Sequence, residues 1–513
     1  MKRIAAVVLG LGLAIPALAH DAGGAPARLG KVQFQVECNA AAQREFNLAM
    51  AYYHSFAWEE MREPYERALQ ADPSCGMVHW LRALGALGNP FTWPTLISPT
   101  ILSEAPGWLD TARRTGLRSQ RERDYVDAVA AYFKDHDKLD HRVRAKAFES
   151  ALEQVMQRYP QDQEAATLYA LVLSANFDPS DKKYTNQLKA AAILEPIFAA
   201  QPEHPGVAHY LIHSYDYPPI AAKGVDAARR YGKIAPDAAH ALHMPSHIFT
   251  RVGAWRESIE SNRASARAGS DKSFDKWHAY DYMVYAHLQL GQQDAAREVV
   301  KEALANPART DHPGTAYAYA AMPARLALER AAWKEAAALE LFAADSYPWK
   351  KYTFAEAVNA FARGIGAAMS GDSAAARAQV VRLQQLRDST KVPYWQEQIA
   401  IQAEVVQGLA LRAEGKGAEG LAVLRKAALR EDATEKHAIT PGPIVPAREL
   451  LAYVQLEAGD APSALRDFES VLEREPNRQR AVAGAARAAK LAGDSGKAAR
   501  YTGELAKLAA HQH

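Results

Sequence analysis

The residues best suited to chemistry are three histidines in AHALHMPSHIF: His240, His243 and His247. A separate pair, His209 and His213, precedes them in AHYLIHSYD. Five imidazoles within 40 residues is dense for a chain of 513 residues with 17 His. Imidazole is the commonest metal ligand and the side chain that titrates nearest neutral pH. His209 and His213 stand at i and i+4, so one helix face carries both, a spacing that suits two ligands of one ion. All-nitrogen ligation with at most one carboxylate suits zinc or copper(II). His240, His243 and His247 join the pair as candidate ligands, and His278, Asp281, His54, His79 and Tyr210 are candidate ligand-binding residues nearby or within reach.

Other readings of these residues stay open. The histidines can bond to backbone carbonyls at turns and pack between helices. They can also line a groove for a peptide, a partner protein or a small molecule. A hydrolytic centre is a third course. It would need Asp216, Asp281 or Glu203 as general base, and the HExxH pattern is absent because Tyr210 follows His209. No nucleophile elbow, phosphate loop or dinucleotide fingerprint occurs, and no catalytic residue is identified.

Composition bounds the context. Lys2 and Arg3, the apolar run Ile4 to Ile15 and Ala17-Leu18-Ala19 read as a signal peptide over 1–19. The expectation is an exported, periplasmic or secreted protein without a membrane span. The formal charge of +2 shows no basic block with interleaved aromatics, so nucleic acid is not an expected partner. Two cysteines, Cys38 and Cys75, suggest a disulfide in an oxidising compartment. The rival use is two thiolates joining His79 at a metal. Cleavage after Ala19 would expose His20 as a terminal chelator. His511 and His513 read as a frayed tail, and His136 and His141 as a solvated loop or helix start.

The elements that must position the histidines are helices. Apolar spacing is helical throughout and almost nothing reads as a strand. Leu48, Ala49, Tyr52, Tyr65, Ala68 and Pro73 in 42–75, and Leu451, Ala452, Gly459, Ala464, Phe468 and Pro476 in 445–478, fall at the spacings of one helical repeat. Gly253 with Trp255, Ser258, Asn262 and Ser265 marks a further unit, and Gly291 with Ala296, Val300 and Ala303 another. Gly371 with Ala375 and Gly493 with Ala498 suggest more. A period of about 34 residues is that of a helix–turn–helix solenoid. These residues resemble tetratricopeptide (TPR) repeats, and HYLIHSYDYP, HALHMPSHIFTRVGAW and TPGPIVPARELL resemble a group of exported bacterial TPR proteins.

The resemblance implies an all-α fold: a right-handed superhelix of antiparallel helix pairs with a concave ligand-binding face. With Ser258 at repeat position 20, His240, His243 and His247 occupy groove-facing positions 2, 5 and 9. With Ala296 there instead, His278 and Asp281 take positions 2 and 5 of the next repeat. His54, His209 and His213 align on the same face. Imidazoles from two adjacent helices are expected to meet at one ion. Pro245 should break or kink its helix.

The expected organisation is a flexible segment over 20–37, then repeats over 38–175, 176–305, 306–430 and 431–513. Pro-rich or polar interruptions at 88–107, 178–187, 216–224, 306–314 and 433–446 are expected to be loops, some of them lids.

Overall fold

The computed structural model describes residues 27–510. The signal-peptide, His20, His511 and His513 readings lie outside the described residues. Among the described residues there are helices, short turns and loops, and no strand. The chain is a TPR-like solenoid of antiparallel helix pairs. The pairs Ala40–His54 with Arg62–Ala71, Phe274–Gln289 with Gln293–Ala305, and Ala447–Glu457 with Ala461–Arg474 fall where the repeats were read. Among the described residues, no helix is long and apolar enough to cross a membrane.

The local chemistry explains the pairs. Asn39, Asp162, Asp460 and Asp494 each cap a helix by accepting a backbone N–H of its first turn. Within a pair the two helices are joined by a tight turn whose central residue is left-handed, as at Gly253 with φ of 69°. A side chain there would also strike Pro476 O, 2.5 Å from the Cβ position. Trp255 Nε1 donates to Asn477 O at 3.0 Å, and Asn477 Nδ2 donates to Gly253 O. The C-terminal repeats therefore return to touch the central ones.

Burial is continuous along the chain in three cores. The first runs from Leu29 to Phe249, the second from Ala266 to Val454, and the third joins Trp255 and Tyr285 to the last repeats.

Two sequence expectations are corrected. The described part of 20–37 is not a flexible segment. Leu29, Val32, Phe34 and Val36 are buried while their neighbours face solvent. Phe34 packs on Phe46 and Trp80, and Lys31 N donates to Glu203 O. Alternating apolar side chains on extended backbone let the segment seal the groove between repeats. Nor is 88–107 a loop throughout. Ser98 caps a helix and Pro99 opens it, so Pro99–Gly116 is helical despite Pro106.

The segment 433–446 carries no helix, yet it is pinned at its centre. Arg325 Nη2 donates to Thr440 Oγ1 and Gly442 O, each at 2.9 Å, and Arg325 Nη1 donates to Pro443 O. It crosses the central repeats as a strap.

Candidate metal centre

Four neighbouring helices carry the histidines inward. Pro205–Tyr215 bears His209 and His213. Ala239–His243 bears His240 and His243, and Pro245–Arg251 bears His247. Pro245 separates these two short helices at Met244, as its missing N–H requires. The Phe274–Gln289 helix supplies His278. All six histidines are buried.

They form two sets, not one. His209, His213 and His240 place one nitrogen each within 4.8 Å of one another, and so do His243, His247 and His278. The break at Pro245 divides the AHALHMPSHIF run, sending His240 to the first set and its neighbours to the second. The candidate ligands are thereby divided between two adjacent triads. Facing rings across the divide, His213 with His247 and His240 with His243, have centroids 6.3 Å apart. Ring spacings inside the triads are 4.3–6.0 Å.

The hydrogen bonds fix which nitrogen carries the proton. His209 Nδ1 sits 2.7 Å from the His54 carbonyl oxygen, and His240 Nδ1 sits 3.0 Å from Asp275 Oδ1. His247 Nδ1 is 2.8 Å from Asp216 Oδ2. These partners only accept, so each Nδ1 donates. His243 Nδ1 lies 2.6 Å from Asn262 Oδ1, and Asn262 Nδ2 donates to Ser258 O, so here too Nδ1 donates. In the neutral ring the proton is then spent, and Nε2 presents a bare lone pair.

The inward nitrogens of each triad lie close together. His209, His213 and His240 Nε2 have no hydrogen-bond partner, nor does His278 Nδ1. His243 Nε2 and His247 Nε2 face each other at 3.1 Å. Two acceptors at that distance repel unless an electron-pair acceptor lies near both. An ion about 2.0–2.1 Å from each would subtend roughly 100°, compatible with tetrahedral coordination.

Protonation is a poor substitute. Burial, with the neighbouring imidazoles, pushes His209, His213, His243 and His278 well below the usual histidine range. Burial and then Lys436 push His247 down to about 4.

The carboxylates stand behind the ligands. Asp216 accepts from His247, Arg251 and Lys436. Burial raises its carboxyl, but Lys436 and Arg251 outweigh that and hold it well below the usual range. Asp281 is also out of the site, because its Oδ1 accepts from Arg325 Nε at 2.9 Å. Neither faces the inward nitrogens, so neither serves as the general base considered from sequence. Glu203 is on the surface with Lys31.

The remaining sequence candidates go elsewhere. His54 and Tyr210 belong to another cluster. Tyr210 OH donates to His54 Nδ1 at 2.9 Å, and His54 Nε2 and His204 Nε2 meet the two oxygens of Glu164 at 3.1 and 2.8 Å. His204 Nδ1 accepts from Val207 N. Cys38 and Cys75 form a disulfide, which removes thiolate ligation with His79. His79 is half-buried and stands apart from all three clusters.

Sequence reasoning missed Asp275 and Phe56. Phe56 has a left-handed φ of 52°, a conformation costing a bulky residue about 1–2 kcal/mol. That backbone sets its ring on the first triad, with centroids 4.4 Å from His209 and 5.3 Å from His240. Phe91 stacks on His213 at 3.9 Å. The HSF triplet at 54–56 was the available signal, since it parallels HSY at 213–215.

No protein-family model matches the chain, and neither does any curated protein. Solved structures do resemble it at length. The human IFIT1 dimer with m7Gppp-AAAA is 12% identical over 93% of this chain and 96% of that one, with a TM-score of 0.40. The APC/C hetero-tetramer Cut9-Hcn1 is 15% identical over 89% and 78%, with a TM-score of 0.34. Yeast Tom70 is 11% identical over 90% and 92%, with a TM-score of 0.33. Superpositions this loose carry no functional information.

Proposed function

We propose that this TPR-like repeat protein binds two transition-metal ions side by side, each held by three imidazoles. One observation carries the reading. Four of the six rings have Nδ1–H tied back to a carbonyl, amide or carboxylate oxygen, leaving Nε2 lone pairs aimed inward. Metal-ligating histidines are oriented in this way, and the outer hydrogen bond raises their basicity. A purely structural role leaves the face-to-face lone pairs of His243 and His247 without a purpose. The reading includes export through residues 1–19, in keeping with a disulfide, which persists in oxidising compartments.

The test is metal content. Untagged full-length protein is dialysed against copper or zinc, desalted, and assayed by elemental analysis. Two ions per chain are expected. Protein that retains none after loading overturns the reading and leaves a protein- or peptide-binding scaffold, the general role of such repeats.

A further inference from the structure

Both triads open onto one cavity of about 750 Å³. His213 and His240 of the first and His247 and His278 of the second line its floor. Its walls are largely apolar and aromatic, with Phe56, Trp58, Trp108, Met244 and Phe274 among them. Its two carboxylates, Glu59 and Glu66, are both exposed. Resting on the two-centre reading, we propose that the pair is copper and that the cavity admits an o-diphenol, which the copper pair oxidises with O2 as the electron acceptor.

The donor set argues for copper. Six neutral imidazoles supply no negative charge, so the ions keep their full charge in a buried site. Desolvation penalises charge steeply, which favours an ion able to rest at +1. Imidazole suits copper, whereas hard divalent ions seek carboxylates and water. Zinc fits the nitrogens but has no redox chemistry. No buried carboxylate lines the cavity to act as a general base beside the ions. The pairing matters as well. Two one-electron ions whose ligand rings approach to 6.3 Å can together take up two electrons from one substrate.

An o-diphenol matches that electron count and the cavity walls. Its ring is flat and neutral, and it packs against aromatic and methionine side chains. Its adjacent hydroxyls present two oxygens to two ions. The first diphenol gives two electrons to two Cu(II), loses both O–H protons and leaves as the o-quinone. The two Cu(I) pass those electrons to O2. A second diphenol supplies two more electrons and two protons. The O–O bond breaks, and O2 leaves as two waters carrying the four protons released. Two quinones form per O2 consumed.

The test uses full-length protein loaded anaerobically with Cu(I), freed of excess by a chelating column, and exposed to air with 4-methylcatechol in an oxygen electrode. Expected are two copper ions per chain, two quinones per O2, and at least a 100-fold lower rate for zinc-loaded protein of the same fold. His240→Ala and His278→Ala should each fall by a similar factor while keeping their far-ultraviolet circular dichroism. Two bound coppers without oxygen uptake overturn the oxidation and leave the two-centre reading standing. Fewer than two coppers overturn the copper assignment and the oxidation, and fewer than two ions of either metal overturn the two-centre reading as well.

Discussion

In the His54–Glu164–His204 cluster every ring nitrogen has its partner. His54 and His204 both donate to Glu164, and their other nitrogens accept from Tyr210 and from a backbone N–H. Burial pushes the Glu164 carboxyl up, yet the two histidines outweigh it and hold it well below the usual range. A few ångströms along the same helices, the six-histidine region is wired the opposite way. Four of its six rings spend their donors on outer partners, and three inward Nε2 atoms, on His209, His213 and His240, have no partner. The ingredients overlap and the wiring differs. A buried group of His and Glu is closed when its own protons satisfy it, and open to a cation when lone pairs converge.

Ligand truncation should separate the regions most sharply. His240→Ala and His243→Ala should each lower the metal content from two ions to one, and the double variant should bind none. His204→Ala should leave two ions in place. Equal losses in all three would erase the distinction.

Stability should sort the other way. His204→Ala leaves Glu164 buried with one partner fewer, at a cost of about 3 kcal/mol in denaturant unfolding of the metal-free protein. Truncating His240 removes one partner of Asp275, but that carboxylate is less buried than Glu164 and keeps its bond from Ser273, so the cost should be clearly less.

A subtler contrast lies in the outer partners. Asp275→Ala frees His240 Nδ1 and should weaken the first centre about 10–100-fold while sparing the second. Competition titration against a chromophoric chelator resolves the two affinities. Equal weakening of both would mean that the centres do not bind separately.

Acid gives the smallest effect per residue. His247 is held down to about 4 against an ordinary 6.5, and burial lowers its neighbours His209, His213, His243 and His278 in the same direction. The unfolded chain then binds more protons than the folded one below pH 6.5. Metal-free protein should therefore lose stability as pH falls from 6.5 towards 4, by about 1 kcal/mol for each such histidine at pH 5.5. Urea midpoints at pH 7.5, 6.5 and 5.5 check this, and an unchanged midpoint would mean that these rings are already charged in the fold.

Much of the scaffold was legible because a repeat states its packing many times over. Small residues such as Ala49 and Ala452 recur inside the helices, and glycines such as Gly253 and Gly459 recur at the turns between them. Repeat positions also brought His278 to the same surface as His240. The division into two triads was not legible. It depends on the turn at Met244 and on which ring nitrogen each outer partner claims, and neither has a sequence period. Asp216 was read as a base because a carboxylate near histidines suggests one, yet Arg251 and Lys436 turn it into a support. Lys436 is 220 residues away along the chain, on a strap whose course no local pattern reveals.

Anomalous diffraction at the copper edge from copper-loaded crystals would test the contrast directly. Two peaks are expected, each about 2.0 Å from the nitrogens of one triad, with none at His54, Glu164 and His204. Peaks absent from the triads, or present at the closed cluster instead, would contradict the two-centre reading.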